Sequence, residues 1–316
     1  MNRLSMPFFS VVVPVYNKIK HLERTLECLY SQSYRDFEIV VVDDGSTDGS
    51  LQLLDAHRER GLIRLYRRYK PGPGGYEARN HGARRALGKW LIFQDADDWC
   101  SEDHLEEFHH DIERTNGSDI KLYVNAYAKV RNGTIVPIVA FPHDGVLSRK
   151  QGLELFSRAD YIHMNGVCIE RQLFLKSSGF PEGRYRRGGD VYYWIRMLAS
   201  EDKSHYSRKI TSHWNNDNSQ IIKNPVNLPH IHPAKDALME MRGEFGWIEA
   251  YYAKRAINRK LISWAVQKKT YGMFFHDDLM ALCFYALTVK QAIYCMILLL
   301  PRDVFAVCRS LGQGLK

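Results

Sequence analysis

No two of the six cysteines form a CxxC pair, and none of the thirteen histidines sits in an HExxH. These absences exclude ribbon-type and zincin-type zinc sites. Cys28, Cys100, Cys168, Cys283, Cys295 and Cys308 lie far apart, so reduced cytosolic thiols are expected rather than a disulfide framework. There is no internal repeat, no low-complexity tract, and no helix-turn-helix, zinc-finger or RNP signature; nucleic acid is therefore not an expected partner. Met6–Tyr16 is apolar, but Pro7 and Pro14 interrupt it and no small-residue cleavage site follows. A first strand is expected there, not a signal peptide. Leu279–Val289 and Ala292–Leu300 are apolar runs split by Lys290-Gln291 and stopped by Pro301-Arg302-Asp303, which argues against a membrane span.

What is present is ordinary globular material: 316 residues, 45% hydrophobic and 25% charged, enough for one or two domains. The net charge of +8 is unevenly placed. Residues 57–89 carry ten Lys/Arg against Glu59 and Glu77, and residues 250–316 carry ten against Asp277, Asp278 and Asp303. Two separate basic regions allow two separate anionic partners.

Strand and helix signals alternate over the first hundred residues. Phe8–Val15, Glu38–Val42, Leu62–Tyr66 and Trp90–Gln94 read as strands. Lys18–Gln32 reads as a helix, Ser46 or Thr47 caps a second running to about His57, and Arg79–Leu87 is a third, stopped by Gly88. Such alternation implies an α/β fold, a parallel sheet with helices on its faces. A hairpin is expected at Asn132-Gly133. Helices near 149–159 and 190–199 flank a strand near 166–170, and only helices are expected from about residue 233 onward.

Ligands of parallel sheets bind at the carboxyl ends of the strands. Asp43-Asp44-Gly45-Ser46 follows the second strand, where its carboxylates either accept hydrogen bonds from a base or sugar hydroxyl or cap the turn. Asp95-Ala96-Asp97-Asp98 follows the fourth. Residues i and i+2 of an extended segment project the same way, so Asp95 and Asp97 could converge on a divalent cation. Between them, Pro71–Gly75 lets backbone approach a ligand, and Arg79 offers a guanidinium for phosphate. Later, Gly188-Gly189 precedes Asp190, which either caps a helix or presents a carboxylate to a site.

In order, VVVPVYN, EIVVVDDGSTDGS, GGYEARNHGARRALGKW and LIFQDADDW strongly resemble the family 2 glycosyltransferases. The likeness spans roughly residues 8–100 and continues more loosely to about 215. It implies a GT-A fold, a Rossmann-like mostly parallel sheet flanked by helices, over about 1–220. A helical C-terminal extension over 221–316 completes the expected layout. The resemblance further implies an inverting, metal-dependent, non-processive glycosyltransferase. Its donor is a nucleotide sugar, most plainly a UDP-sugar, and its acceptor a saccharide or lipid-linked glycan in surface-polysaccharide assembly. By the family pattern Pro14, Tyr16 and Asp44 hold the base, Arg79 lies beside nucleotide and phosphates, and Asp95 lies near the ribose or sugar. Asp97 binds Mn²⁺ or Mg²⁺, with His213 touching the metal or diphosphate. Asp190 is the catalytic base, although Gly189 replaces the first member of the usual acidic pair.

A processive synthase of the same family is disfavoured because QxxRW is absent. A nucleotidyltransferase, or a polyanion- or membrane-binding module without catalysis, remains as an alternative. The tail poses a further choice: a basic, partly apolar helical layer lying on an anionic membrane surface, or a helical hairpin packed on the catalytic domain. The first makes a cytoplasmic protein peripheral on the inner face of the cell membrane.

Overall fold

The computed structural model describes residues 6–217, 225–228, 230–241 and 246–313. Its first half is built on four parallel strands, β1 (Phe9–Val15), β2 (Phe37–Asp43), β3 (Arg64–Arg67) and β4 (Trp90–Phe93), in the order β3-β2-β1-β4. Three helices connect them: α1 (Ile19–Tyr30), α2 (Ser50–Glu59) and α3 (Tyr76–Arg85). β1 is apolar apart from Ser10, because both its faces are covered. Phe9, Val11, Val13 and Val15 pack with Leu22, Leu26 and Leu29 of α1, which recur at helical spacing. Val12 turns the other way, into a cluster with Ala83 of α3.

Two helix boundaries differ from the sequence expectation. α2 begins at Ser50 because Ser46 and Thr47 are committed to the preceding turn: Ser46 Oγ accepts from the Asn17 N–H at 3.0 Å, and the Thr47 N–H donates to Asn17 Oδ1 at 2.8 Å. α3 runs from Tyr76 and ends at Arg85, before Gly88. Gly88 serves a close approach instead, since a Cβ there would lie 2.6 Å from the Phe9 carbonyl carbon.

The sheet continues beyond β4 with mixed polarity, through β9 (Val167–Glu170), β6 (Leu122–Arg131), β10 (Lys203–Asn215) and β5 (Trp99–Cys100). β7 (Thr134–Ile138) pairs with β6 through the expected Asn132-Gly133 turn, both residues at positive φ, and β8 (Gly145–Ser148) pairs with β10. The accompanying helices are α4 (His104–Arg114), α5 (Arg149–Arg158), α6 (Arg171–Lys176) and α7 (Gly189–Ser200).

The C-terminal region is helical, as expected: α8 (Ala234–Glu240), α9 (Trp247–Thr270), α10 (His276–Met280), α11 (Val289–Leu299) and α12 (Arg302–Gln313). The first apolar run of the tail is not one helix; it breaks after α10 into a turn at Phe284–Ala286. α9 lies along α5, and one core joins Val12, Phe93 and Trp194 to Ala253, Leu261 and Phe305. No described helix is long and apolar enough to cross a membrane.

Candidate active site

β1 pairs with β4 only as far as Val12 and with β2 as far as Val15, so a crevice opens between the ends of β1 and β4. Pro14 lies past the last β4 partner, where its missing N–H costs no bond to that strand. Tyr16 follows, about half exposed at 47%.

The DDGS turn closes one side. Asp44 is buried, its Oδ1 paired with Arg68 and its Oδ2 accepting from the Gly72 N–H at 3.1 Å. Burial pushes its carboxyl up, against the pull of Gly72 and Arg68. Arg68 also pairs with Glu77 on α3. Asp43 is buried as well and accepts from the Ser46 N–H at 3.3 Å, in a turn-capping role.

The DxD turn closes the other side. Asp95 pairs with Arg79, whose Nη1 also donates to the Gly74 carbonyl at 3.1 Å. Burial alone would raise the Asp95 carboxyl, but the Arg79 guanidinium holds it below the usual range. Asp97 pairs with Lys18, the residue that opens α1. Asp98 turns inward and clamps the turn to the rest of the sheet: Asn165 Nδ2 donates to Oδ2 at 2.6 Å and the Asn215 N–H to Oδ1 at 2.7 Å. Burial, with Asp95 and Asp97 adding repulsion, drives its carboxyl well upward. Asp98 thus acts as a long-range clamp. Asp98→Ala should leave a buried amide donor unpaired, at about 1–3 kcal/mol. A melting temperature several degrees lower is expected, and an unchanged one would remove this role.

Asp190 sits at the start of α7. Gly188 precedes it at φ 83, and the N–H groups of Gly189 and Asp190 both donate to the Tyr76 hydroxyl oxygen, at 2.9 and 3.3 Å. No side chain among the described residues hydrogen-bonds the Asp190 carboxylate. The first turn of α3 is thus the hub of the crevice. Tyr76 holds the Asp190 turn, Glu77 reaches the DDGS turn through Arg68, and Arg79 holds the DxD turn. His163 faces Asp95 and Asp190 in a stack with Tyr127, and burial pushes its imidazole down to about 4, so it is neutral at pH 7.

His213 lies on β10 opposite Trp99, its ring stacked on the indole at 5.3 Å with Arg24 3.4 Å over the same indole. Its Nδ1 is buried without a hydrogen-bond partner among the described residues. No described contact joins it to Asp97. Asn218 and Ser219, which follow on from β10, lie outside the described residues.

Among the described residues, no three His, Cys, Asp or Glu side chains gather as a metal cage. The donor set still fits a divalent cation shared with a ligand. Asp97 offers a carboxylate at a position that already balances a positive charge, Lys18. Mg²⁺-like ions commonly take one or two carboxylates and complete their shell with phosphate oxygens and water.

Sequence reasoning did not single out Lys18, Arg68, Tyr76, Glu77 or Asn165. Lys18 directly follows the VYN segment and Tyr76 and Glu77 stand inside GGYEARN, so the signal lay beside residues already chosen.

Residues 10–135 match the family model for glycosyl transferase family 2. The chain belongs to that family. A Rickettsia felis glycosyltransferase described as uncharacterized is 37% identical over 191 residues, covering 60% of this chain and 30% of the relative. The glycosyltransferase GlyG of Streptococcus pneumoniae is 35% identical over 201 residues, covering 61% of this chain and 66% of GlyG. The chain thus spans under a third of the first of these relatives. Among solved structures, Staphylococcus aureus TarS 1-349 in complex with UDP-GlcNAc superposes with a TM-score of 0.70 at 18% identity, over 96% of this chain and 91% of that one. This family 2 chain therefore shares the α/β GT-A architecture, with helices at its C-terminal end.

Proposed function

We propose that the chain is an inverting glycosyltransferase that moves a sugar from a nucleotide sugar, a UDP-sugar, to a hydroxyl of a saccharide or lipid-linked glycan acceptor in surface-polysaccharide assembly. The observation that carries this reading is the convergence of the DDGS, DxD and Asp190 turns on the first turn of α3. Family membership and the shared architecture with a UDP-GlcNAc-bound protein support it.

In this reading Tyr16, Pro14 and Asp44 take the base, with Asp44 exchanging its contacts to Arg68 and Gly72 for the ligand. Arg79 orients the phosphates and keeps Asp95 ionised beside the sugar. The Asp190 carboxylate takes the proton of the acceptor hydroxyl as the new C–O bond forms at the anomeric carbon and the bond to the diphosphate breaks. Asp97, with His213 as a further candidate, would hold Mn²⁺ or Mg²⁺, which when bound offsets the charge of the departing diphosphate. Lys18 and Arg79 place two further cations on that side of the crevice.

A melting-temperature screen of nucleotide sugars, with and without Mn²⁺, tests the donor assignment. A donor at ~100 times its Kd should stabilise the fold by about 2.7 kcal/mol. Tyr16→Ala should weaken that donor by about 1–3 kcal/mol, the usual worth of a base stacked on an aromatic ring. Its exposure means the ligand-free protein should melt unchanged. If no nucleotide sugar stabilises the protein, the donor reading fails. If Tyr16→Ala binds the donor normally, the stacking role fails. Attachment of the basic C-terminal layer to an anionic membrane, on the cytoplasmic side, belongs to the same proposal and is supported by the charge of residues 250–316.

A further inference from the structure

Away from the crevice, α9 and α12 border an open cavity of about 370 Å³ lined by Lys269, Thr270, Arg302, Phe305, Arg309 and Ser310, among others. Among the described residues no carboxylate lines it. Lys269 Nζ donates to the Leu298 carbonyl at 2.6 Å and so fastens the end of α11. Arg302 Nη2 reaches the Thr270 carbonyl at 3.1 Å, and Arg309 Nη1 bonds the Thr270 hydroxyl. Among the described residues neither arginine has an acidic partner, so two guanidinium groups meet at one cavity with their charge uncompensated.

Exposed apolar side chains begin beside the cavity and extend away from it along α11. Tyr271 and Phe274, just past the end of α9, are exposed, Phe274 at 65%. On α11 and its end, Val289, Ile293, Met296 and Leu300 recur at intervals of four, three and four, one stripe of a helix. All four are exposed, Val289 at 80%. Val304 and Val307 of α12 are exposed as well, while the exposed Phe284 and Tyr285 lie toward the other end of α9, where Lys254 reaches the Tyr285 hydroxyl. A layer with aromatic and aliphatic side chains outward and cations beside them suits the boundary between lipid headgroups and acyl chains.

We propose that the cavity holds the phosphate of an anionic lipid headgroup while the neighbouring apolar side chains enter the bilayer surface. This rests on the membrane part of the proposed function and names the group that the layer recognises. Charge favours a bilayer over a second copy of the chain. A two-fold contact sets the same patch against itself, here basic against basic, whereas an anionic bilayer complements it.

The test uses the full chain and vesicles of phosphatidylcholine with or without phosphatidylglycerol. Sedimentation should be confined to the phosphatidylglycerol vesicles and fall as salt rises. Arg302→Gln with Arg309→Gln should lower partitioning roughly 30-fold at low salt, on the usual contribution of two basic residues near an anionic surface. Val289→Ser with Met296→Ser should lower it at high salt as well. Equal binding to both vesicle types, or normal binding by the arginine variant, would overturn the proposal. So would stabilisation by inorganic phosphate alone that matches the vesicles, which would mark a free-anion site. A concentration-dependent dimer, lost in the Val289/Met296 variant and indifferent to lipid, would assign the face to a second copy. Donor hydrolysis measured in the same samples keeps the two proposals apart. Its absence from the wild type would count against sugar transfer and leave the lipid result standing.

Discussion

Asparagine in place of Asp190 is expected to lower sugar transfer by at least ~10²-fold while leaving donor affinity nearly unchanged. The backbone of this turn is held by the Tyr76 hydroxyl through the N–H groups of Gly189 and Asp190, so the fold does not depend on the carboxylate. Asparagine preserves shape at that position but cannot take a proton from the acceptor. The negative charge of Asp190 favours the protonated forms of Arg79, Arg187, His163 and Lys260 nearby. Transfer measured at saturating donor, set beside calorimetric donor affinity, separates the cases. Equal collapse of both quantities would make Asp190 a donor-site residue and leave the base unassigned.

Asp97→Asn is expected to come close to abolishing Mn²⁺-dependent transfer. The substitution removes a charge that Lys18 balances in the ligand-free protein and that a divalent cation would use in the loaded one. Its structural cost should be small, within about 1 kcal/mol, because the ion pair is partly solvated. That contrasts with Asp98→Ala one position further on, where a buried clamp is cut. Mn²⁺ binding followed by calorimetry, in the presence of donor, should be lost together with activity. A well-folded Asp97→Asn protein with normal activity and unchanged Mn²⁺ dependence would take the metal away from this turn.

Much of this arrangement was legible in the sequence because its signals are local. The first two strands are short β-branched runs, the third and fourth repeat the pattern more weakly, and both acidic turns stand directly at strand ends. What the sequence hid is long-range. β10 was missed because its run, KSHYSRKITSHWN, is largely polar and two register shifts against β6 interrupt its alternation. β5 has only two residues. The pairing of Lys18 with Asp97 spans 79 positions, and Asn165 reaches Asp98 across 67. Periodicity carries no information about such contacts. The helical character of the tail is legible, but the break at Phe284–Ala286 is not, since hydrophobicity there continues unbroken while the backbone turns.

The central claim is that the crevice cleaves a nucleotide sugar between its sugar and its diphosphate. Phosphorus NMR of the full chain with a stabilising nucleotide sugar, Mn²⁺ and a glycan acceptor reads this directly. The expected products are a nucleoside diphosphate in the phosphorus spectrum and, by the anomeric proton signal, a glycoside of inverted configuration, both lost in Asp190→Asn. Release of pyrophosphate instead would identify nucleotidyl transfer and contradict the account.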